Sequence, residues 1–401
     1  MNSIKYDIIT YENDGLLKHP NQDVTTLNGN TQKTYNEYFK NLDRIDWRKY
    51  EDKYLFVIHL NHYEFAQTKL EKIQTKSKYE KLKQDFLSDR CRIIIYIKDC
   101  GAFEDFENFI ENSIFNNKNL IIIDMTGLIL KSKIKSQIVC LNLFPVSNPE
   151  VSKAWTDRKL LYRMFERTYG FKKQFYFTTF NNVIKKHRVN LHSFLQKNNL
   201  LEKGICSFFS KYSLKRLQRT MNDYNFEFSS EDKPYSDDSF LNFDVSSDEF
   251  VWNGIFNYGA YFSSYFDIIT ETKFTYGDGF GDRMLMFTEK TWRPILLFSP
   301  FICLAQKGHL EKLKNYGFKT FHPLIDESYD NEKDEDKRLN MIMIEIQKLC
   351  DMSPKQIHEF YWSQRDTLIH NFNHYFEFVN NNCSVLYKKV YDIWRDLNED
   401  N

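Results

Sequence analysis

Charged side chains in the second half of the sequence have the types and spacing needed to hold an anion. The stretch Phe287–Ile295 carries Glu289, Lys290 and Arg293 just after Thr288, a residue type that often begins helices. A glutamate suits the positive end of a helix dipole, whereas a lysine and an arginine are repelled by it. Their presence makes sense if an anion binds at the helix start, held by the dipole and the cations together. The alternative is a solvated helix end with mixed charges.

The elements that flank this stretch place it at one edge of a predicted sheet. An apolar, strand-like run, Tyr265–Glu271, comes before it, and a Gly-rich polar loop, Thr275–Arg283, joins the two. Leu296–Ala305 then predicts a helix end, a turn and a buried strand, and Gly317–Phe321 predicts a further short strand. In an open α/β sheet this order puts Glu271 and the charged residues near the carboxyl edge of the strands, where such sheets bind ligands.

Pro294 leaves two positions open for the start of this helix. If Thr288 is the N-cap, Pro294 falls past the first turn and is expected to bend the helix. If Thr291 is the N-cap, Pro294 lies within the first turn, where proline is tolerated.

A second basic helix start precedes the first in the chain. Gln174–Phe180 predicts a strand, Asn181 begins a turn, and Lys185 and Arg188 open the following helix, which leads to another strand at Ile205–Phe209. A strand, a turn and a basic helix start form an arrangement that can hold phosphate. An exposed basic face is the alternative, but two basic helix starts in one domain favour an anion site.

The first 150 residues predict buried strands with helices between them. Apolar, β-branched runs occur at Ile4–Tyr11, Tyr54–Leu60, Arg92–Ile97, Leu120–Ile123 and Ile138–Leu141. Continuous runs of this kind, separated by helical segments, indicate parallel strands that are covered on both faces. The pattern predicts an α/β domain that ends near residue 150.

Polar side chains follow several of these strands and are the candidate chemistry of the first domain. His59, His62 and Glu64 follow one strand, Asp99 follows the next, and Asp124 follows the third. A carboxylate or imidazole at such an edge can act as a general base toward a hydroxyl. Each of them can instead cap a helix or face water. The histidine-rich turn is a weak metal-site candidate, because no partner cluster with ligand spacing lies nearby.

The composition is typical of a globular protein with two or three domains. The chain has 401 residues, and hydrophobic residues make up 42% of them. The formal net charge is zero, so no global field attracts nucleic acid or anionic lipid, although a local basic groove is compatible with this value.

Cysteine usage and hydropathy favour a soluble, cytoplasmic protein. The seven cysteines are scattered, odd in number and without a Cys-x-x-Cys pair, which fits reduced thiols better than disulfides or a zinc site. Met1–Asp7 lacks the apolar core of a signal peptide. The longest apolar stretch, Pro294–Ala305, is too short to span a bilayer, so we expect no membrane span.

Two apparent metal motifs have simpler interpretations. Asp334–Asp336 matches an Asp-x-Asp motif but lies in a charge run with interleaved lysines, which favours a solvated helix face. His370 and His374 have the spacing of zinc ligands on a helix, but no Glu follows His370 and no third ligand is evident, so we expect surface or interface histidines and no bound metal. Dinucleotide, Walker A and nucleophile-elbow motifs are absent from the sequence.

Several of these segments resemble a family of phage and giant-virus proteins that is distantly similar to the fucosyltransferase-type glycosyltransferases. The resemblance is carried by Phe287–Ile295, Pro300-Phe301, Leu313 with Gly317–Phe321, Asp326–Asp330, Phe180-Asn181, His187-Arg188, Leu200-Leu201 and Ser207-Phe208. It covers roughly residues 172–350, and the first domain is similar only in layout. The resemblance implies a GT-B-like fold, in which two Rossmann-like α/β domains face each other across a cleft.

The resemblance also implies roles for individual residues. In fucosyltransferases the Glu and Lys of the shared Thr-Glu-Lys core contact the ribose and phosphates of the donor nucleotide, a role that falls here on Glu289 and Lys290. Arg293 stands where relatives have lysine and keeps the charge, and the turn that contains Glu64 resembles a carboxylate-bearing loop of such first domains. We expect a carboxylate or histidine of the first domain, Glu64 by preference, to act as catalytic base. The predicted donor-binding residues are Asn181, Lys185, Arg188, Glu271, Thr288, Glu289, Lys290 and Arg293.

The resulting prediction is a glycosyltransferase with four segments. These are an acceptor-side α/β domain (1–150), a linker helix (151–171), a donor-side α/β domain (172–350) and C-terminal helices that pack back over the hinge (351–401). A sugar moves from a nucleoside diphosphate to an acceptor hydroxyl on a glycan, protein or nucleobase, with inversion, and cations replace a metal at the leaving group.

Two alternatives stay open. One is a viral transferase that modifies hydroxymethylated DNA bases, which predicts salt-sensitive duplex binding and is disfavoured by the zero net charge. The other is a virion or binding protein that recognises a nucleotide or glycan without turnover.

Overall fold

The protein is an α/β chain with two parallel sheets, seen in a computed structural model. The structure describes residues 4–10, 42–60, 63–97, 103–124, 134, 136–140, 158–181, 185–208, 258–275, 285 and 287–399. The chain divides into two compact units: the first comprises residues 1–147, 276–286 and 376–401, and the second comprises 148–275 and 287–375. In the described part of the chain, no helix has the length and apolar content needed to cross a membrane.

Six parallel strands form the sheet of the first unit, in the order β2-β1-β3-β4-β5-β6. The strands are β1 (Ile4–Thr10), β2 (Leu42–Arg44), β3 (Tyr54–Leu60), β4 (Cys91–Ile97), β5 (Leu120–Asp124) and β6 (Gln137–Cys140). Among the residues described between these strands are the helices α1 (Tyr63–Thr75), α2 (Glu80–Leu87) and α3 (Phe103–Glu111). The parallel strands confirm the α/β prediction for this region.

The described residues of the central strands β3 and β4 are buried, apart from the half-buried Arg92. Residues 54–58 of β3 and 93–95 of β4 are 0% exposed. Strands covered on both faces need apolar side chains at successive positions, which is why these segments were recognisable as continuous runs. Strand β2 lacks such a run, and its three residues are held by pairing Leu42 with Ile4 and Arg44 with Tyr6.

Four parallel strands form the sheet of the second unit, in the order β10-β9-β7-β8. The strands are β7 (Phe175–Asn181), β8 (Gly204–Phe208), β9 (Ser264–Thr270) and β10 (Phe301–Leu304). The helices described in this unit are α4 (Arg158–Arg167), α5 (Lys186–Lys197), α6 (Tyr258–Ser263), α7 (Glu289–Leu296), α8 (His309–Asn315), α9 (Glu335–Asp351), α10 (Pro354–Ser363) and α11 (Arg365–Glu399). Helix α11 continues into the first unit.

The two sheets share a strand order. In each, the second strand of the chain lies on one side of the first, and the third and fourth strands lie on the other side. The order therefore reverses between β1 and β3 in the first sheet and between β7 and β9 in the second. Such reversal points, at the carboxyl ends of the strands, are where open α/β sheets bind ligands.

Trp292 anchors α7 in the core of the second unit. The side chain is 0% exposed, and its ring centroid lies 5.9 Å from Phe287, 5.5 Å from Phe318 and 5.9 Å from Tyr375. Burial of a side chain of this size contributes about 2–3 kcal/mol. The charged residues on either side of Trp292 are therefore presented by a helix whose position is fixed.

The short strand predicted at Gly317–Phe321 is wrong, because this segment is irregular. Its backbone pairs with a side chain instead of a strand: Lys319 N donates to Asn371 Oδ1 at 2.8 Å, and Asn371 Nδ2 donates to Lys319 O at 2.8 Å. Asn371 is 1% exposed, so a buried amide satisfies the backbone groups that a neighbouring strand would otherwise have satisfied.

Candidate functional site

Glu271, directly after β9, holds the start of α7. Its Oε1 accepts hydrogen bonds from Thr288 N at 2.9 Å and Thr291 Oγ1 at 2.6 Å, and its Oε2 accepts from Thr288 Oγ1 at 2.7 Å and Thr272 N at 3.0 Å. The residue is 0% exposed, and these four donors compensate for burying a carboxylate. The sequence predicted a ligand-binding role for Glu271, whereas the structure places it inside the protein.

The N-cap of α7 is Thr288, one of the two positions that the sequence left open. Its hydroxyl accepts from Lys290 N and at the same time donates to Glu271. Thr288 is 2% exposed, so it too belongs to the interior. Pro294 consequently lies inside the helix, past the first turn, and the helix ends two residues later at Leu296.

Two side chains of the α7 start form a close ion pair. Lys290 Nζ lies 2.6 Å from Glu289 Oε1 and 3.5 Å from Thr272 Oγ1, and the side chains of Lys290 and Glu289 are 20% and 18% exposed. Burial raises the pKa of Glu289, but Lys290 and Arg293 together outweigh it and lower the pKa to about 2. Glu289 is therefore ionised at neutral pH, as its position at a helix N-terminus favours.

The start of α5 holds the same segment through carbonyl oxygens. Arg188 Nη2 donates to Thr270 O at 3.0 Å and to Glu271 O at 3.3 Å, and the residue is only 2% exposed. Lys185 Nζ donates to Thr272 O. His187 Nε2 bonds to Glu271 O at 3.1 Å, and burial, followed by the charges of Arg188 and Lys185, holds its pKa well below the usual range. His187 is accordingly neutral, whereas Arg188 is a cation, because burial lowers its pKa only to about 10.

A fourth basic side chain, which sequence reasoning missed, binds further along the segment. Arg338 on α9 is 1% exposed, donates from Nη2 to Phe274 O at 2.5 Å and lies 4.4 Å from the centroid of the Phe274 ring. Nothing in the local sequence around Arg338 indicates this contact, because it joins residues that are 64 positions apart.

Cations therefore surround the segment that follows β9, close to the reversal point of the second sheet. Lys185 and Lys290 meet at Thr272, and Arg188 and Arg338 bind carbonyl oxygens on either side of it. Carbonyl oxygens carry only partial charges, so these hydrogen bonds bring no full negative charge to the segment, and the carboxylates whose charges act on Arg188 are Glu271 and Glu289. Of the carboxylates described at this segment, Glu271 is fully hydrogen-bonded inside and Glu289 pairs with Lys290. The arrangement suits an anionic ligand.

Asn181, at the carboxyl end of β7, faces the neighbouring strand. It is 2% exposed, its Nδ2 donates to Thr179 Oγ1 at 3.1 Å, and its Oδ1 accepts from Thr270 Oγ1. These bonds tie the ends of β7 and β9 together. Asn181, which the sequence predicted to bind a ligand, therefore stabilises the sheet at the point where its strand order reverses.

Asp267, in the middle of β9, is a second residue that the sequence did not single out. It is 4% exposed and accepts hydrogen bonds from Thr178 Oγ1 at 2.8 Å and Tyr261 OH at 3.4 Å. Burial raises the pKa of Asp267 to about 7, although the positive charge of Arg293 on α7 opposes this shift. The only sequence feature that could have indicated this role was an acidic residue in an otherwise apolar strand.

Part of the segment that carries the family resemblance has a structural role. Glu327 accepts from Thr320 Oγ1 and Phe321 N, both at 2.7 Å. Asp330 accepts from the backbone of Leu310 and Glu311, both at 2.9 Å, in the first turn of α8. Through these bonds the two carboxylates fix the first turn of α8 and the chain segment that follows the helix.

The two sets of apparent metal ligands are also engaged in structural bonds. His370 Nε2 bonds to Gly317 O at 3.0 Å, and His374 Nε2 bonds to Tyr316 O at 2.7 Å, which satisfies carbonyls at the end of α8. Asp334 is the N-cap of α9 and accepts from Lys337 N at 2.8 Å. Within the described ranges, no group of three or more potential ligands is placed to hold a metal ion.

The candidate residues of the first unit are described only in part. Glu64 is the second residue of α1, and His59 is the second-last residue of β3, but their side chains lie outside the described set. His62, Asp99 and most of the Gly-rich loop after Thr275 also lie outside it. Asp124 ends β5 and is 0% exposed.

Comparison with known proteins adds no family to these observations. No protein-family model, curated protein or solved structure matches the chain.

Proposed function

We propose that the protein is a glycosyltransferase of the two-Rossmann type, which transfers a sugar from a nucleoside diphosphate to an acceptor hydroxyl. The observation that carries this proposal is the meeting of two basic helix starts at Thr272, where Lys185 and Lys290 reach the same residue beside the sheet's reversal point. A diphosphate has the charge that such a group of cations favours, and helix N-termini add backbone N–H groups.

The buried contacts divide the predicted donor residues into two roles. Lys185 and Lys290, which are partly exposed, contact the phosphates directly. Arg188 stays bound to the carbonyl oxygens after β9 and acts through its charge, because it is 2% exposed. Glu289, ionised at neutral pH, accepts hydrogen bonds from ribose hydroxyls, and Lys290 exchanges part of its contact with Glu289 for the ligand.

These roles supply what the reaction needs at the leaving group. When the bond between the sugar and the diphosphate breaks, negative charge develops on the departing phosphate oxygens. Preorganised cations lower the energy of that charge without rearranging during the reaction. In the proposed mechanism, Glu64 of the first unit remains the base that takes the proton from the acceptor hydroxyl.

Calorimetric titration with UDP, GDP, ADP and CDP tests the donor site. Lys290→Ala and Lys185→Ala are each expected to weaken binding of the best nucleotide about tenfold, which corresponds to about 1.4 kcal/mol. Lys186→Ala is the matched control, because Lys186 has the same charge on the same helix start but its side chain is 61% exposed. Equal losses in all three variants, or none, would contradict the donor site.

Turnover separates the transferase from a protein that only binds nucleotides. The sugar nucleotides of the best base are incubated with the protein and candidate acceptors, and release of the nucleoside diphosphate is measured. Release that Lys290→Ala lowers and Lys186→Ala retains supports the transferase. Nucleotide binding without release from any sugar donor would identify a non-catalytic binding protein instead.

A further inference from the structure

Helix α4 of the second unit presents a row of exposed cations on the face that points away from the core. Its inner face is fixed, because Leu161 and Phe165 are 0% exposed and the Phe165 ring stacks on Phe298 with centroids 4.2 Å apart. Residues four positions apart lie above one another on a helix. The exposed basic residues with this spacing are Lys159, Arg163 and Arg167.

The cations of this row have no carboxylate partners. None of the ion pairs among the described residues includes Lys159, Arg163 or Arg167, and the exposed Lys172, which follows the helix, has none either. Like charges at this spacing repel and destabilise a helix. Lys159, the second residue of α4, is also opposed by the positive end of the helix dipole. An anionic partner on this face would offset both effects.

The carboxylates near the row are matched by a further arginine. Glu166, the one acidic residue of α4, lies 2.9 Å from Arg365 Nη2, and Arg365 Nη1 lies 3.6 Å from Asp366. The guanidinium of Arg365 also lies 5.5 Å from the centroid of the Tyr169 ring. These contacts leave the cations of the row in excess, so the face is positively charged as a whole.

Large apolar side chains are exposed beside these cations. Leu160 is 51% exposed and, three positions before Arg163, lies on the same face of α4. Tyr169 and Phe171 are 61% and 64% exposed and lie in the turn that follows the helix, where Phe171 N donates to Thr168 O at 2.9 Å. Exposed apolar groups of this size, together with cations, indicate an interaction surface.

We propose that the exposed side chains of α4 and of residues 168–172, here called the α4 surface, bind an anionic lipid bilayer. The arginines and lysines attract the phosphates of anionic lipids, and the apolar side chains enter the boundary between headgroups and acyl chains. Single-stranded nucleic acid is the other anionic partner that exposed aromatic rings suit. Leu160, at the middle of the cationic face, cannot stack on bases but suits lipid, which favours the bilayer.

This binding function goes beyond the proposed transfer reaction and uses other residues. Lys185 and Lys290, which carry the proposed donor site, are not part of the α4 surface. Lipid binding is measured without a nucleotide. Failure of either proposal therefore leaves the other intact.

Vesicle sedimentation tests the proposal on the unmodified full-length protein. The vesicles consist of phosphatidylcholine alone or with about one third phosphatidylglycerol, which supplies the negative charge. We expect the protein to bind the anionic vesicles at least about tenfold more tightly, and an increase in salt from about 50 mM to about 500 mM to weaken this binding several-fold. Equal binding to the two kinds of vesicle, or none to the anionic vesicles, would overturn the proposal.

Removal of two cations locates the binding on α4. Arg163→Gln combined with Arg167→Gln should weaken binding to anionic vesicles about 25-fold, since each cation near such a surface contributes about fivefold. Lys197→Gln is the control and should bind normally, because Lys197 is also exposed and lies in the last turn of its helix, α5, as Arg167 does in α4. Equal binding by the double variant and the control would contradict the role of α4. Denaturant midpoints check that these variants keep their fold.

A substitution in the turn tests the apolar contribution. Phe171→Ser should weaken vesicle binding about tenfold at low and at high salt, because burial of a phenylalanine does not depend on ionic strength. Ile344→Ser should have no effect, since Ile344 is 55% exposed but lies on α9. Unchanged binding of Phe171→Ser would overturn insertion of the turn into the bilayer.

A nucleic-acid measurement tests the alternative partner. Fluorescence anisotropy with a labelled single-stranded DNA of about 20 nucleotides is run on the unsubstituted protein and on the double arginine variant. We expect weak DNA binding that the variant does not change. If the DNA bound tightly and the variant lost that binding, while anionic vesicles bound no better than neutral ones, the α4 surface would be a nucleic-acid surface and the bilayer proposal would be wrong.

Discussion

The starts of α5 and α7 both bind the chain segment after β9, but with different partners. At α7 the charges are matched: Glu271 accepts four hydrogen bonds that fix Thr288 and its neighbours, and Glu289 pairs with Lys290 at 2.6 Å. Carboxylates thus hold this helix start in place. At the start of α7, the contact that a ligand can replace is the partly exposed ion pair between Glu289 and Lys290.

At α5 the partners are carbonyl oxygens. Arg188 and Lys185 donate to the backbone of residues 270–272, and the N-cap position, Lys185 itself, has no side-chain capping bond. Positive charge at the start of α5 is opposed by the helix dipole. Contacts at the start of α7 thus favour stability, whereas the start of α5 concentrates positive charge, so substitutions at the two should affect unfolding and ligand binding differently.

The largest effect on stability is expected at Glu271. Glu271→Ala leaves the N–H groups of Thr288 and Thr272 and the Thr291 hydroxyl without their acceptor inside the protein. The unfolding free energy should fall by about 3–5 kcal/mol, as measured by urea denaturation. Glu311→Ala, at an exposed position on α8, is the control. A loss below about 1 kcal/mol at Glu271 would show that α7 is held by its apolar contacts alone.

A pH dependence should come from the acid that faces α7. Because burial raises the pKa of Asp267 to about 7, the folded protein keeps a proton that the unfolded chain releases near pH 4. The contribution of Asp267 to stability is therefore full below about pH 4 and is lost as the pH rises through 7. The unfolding free energy of Asp267→Asn relative to the unsubstituted protein should rise by about 3 kcal/mol between pH 4 and pH 8.

Denaturation at several pH values measures this difference directly. Asp351→Asn, at an exposed position at the end of α9, should show no such change between pH 4 and pH 8. A constant difference between Asp267→Asn and the unsubstituted protein across this range would mean that Asp267 is already ionised in the folded state.

The sequence predicted best those elements whose pattern is local. The run Tyr54–Leu60 was predicted as a strand and is β3, because a strand buried on both faces is apolar at successive positions. Strand β2, Leu42–Arg44, has no apolar run, and only its pairing with β1 makes it a strand. The α/β class with parallel strands followed from the apolar runs and the helical segments between them.

The sequence predicted which types of residue the site contains, but not which side chains are buried or what they contact. Lys185 and Arg188 have the same charge and lie one turn apart on α5, yet Arg188 is 2% exposed and binds carbonyls, which no local charge pattern reveals. The bond from Thr288 to Glu271 spans 17 positions, and the contact of Arg338 with Phe274 spans 64. Such contacts depend on how helices dock on the sheet, which is set by the whole core.

Substitution of Arg188 tests the carbonyl contacts at α5. Arg188→Met fills similar space but removes the donors to Thr270 O and Glu271 O, so the unfolding free energy should fall by about 1–3 kcal/mol. Denaturant midpoints measure this loss. Removal of a buried cation should also weaken nucleotide binding, without contact between Arg188 and the ligand. Unchanged stability would mean that these hydrogen bonds contribute nothing net, and α5 would then not differ from α7 in the way described.

The smallest effects are expected at the two N-cap positions, Thr288 of α7 and Lys185 of α5. Thr288→Ala removes a capping hydroxyl that also donates to Glu271, so the unfolding free energy should fall by about 1–2 kcal/mol, whereas Thr288→Ser keeps the hydroxyl and should lose less. Lys185→Ala removes no capping bond; it removes a hydrogen bond from a partly exposed amine to Thr272 O, but it also relieves repulsion between that charge and the helix dipole, so stability should change by less than about 0.5 kcal/mol.

The two N-cap positions should rank in the opposite order for ligand binding. Lys185→Ala removes a partly exposed cation and should weaken binding of the best nucleotide about tenfold, while Thr288→Ser should bind it as the unsubstituted protein does. Calorimetry and denaturation on the same preparations separate the two quantities. If Lys185→Ala lost stability and kept its affinity, the start of α5 would be a structural contact like that of α7, and the positive charge around Thr272 would have no ligand to explain it.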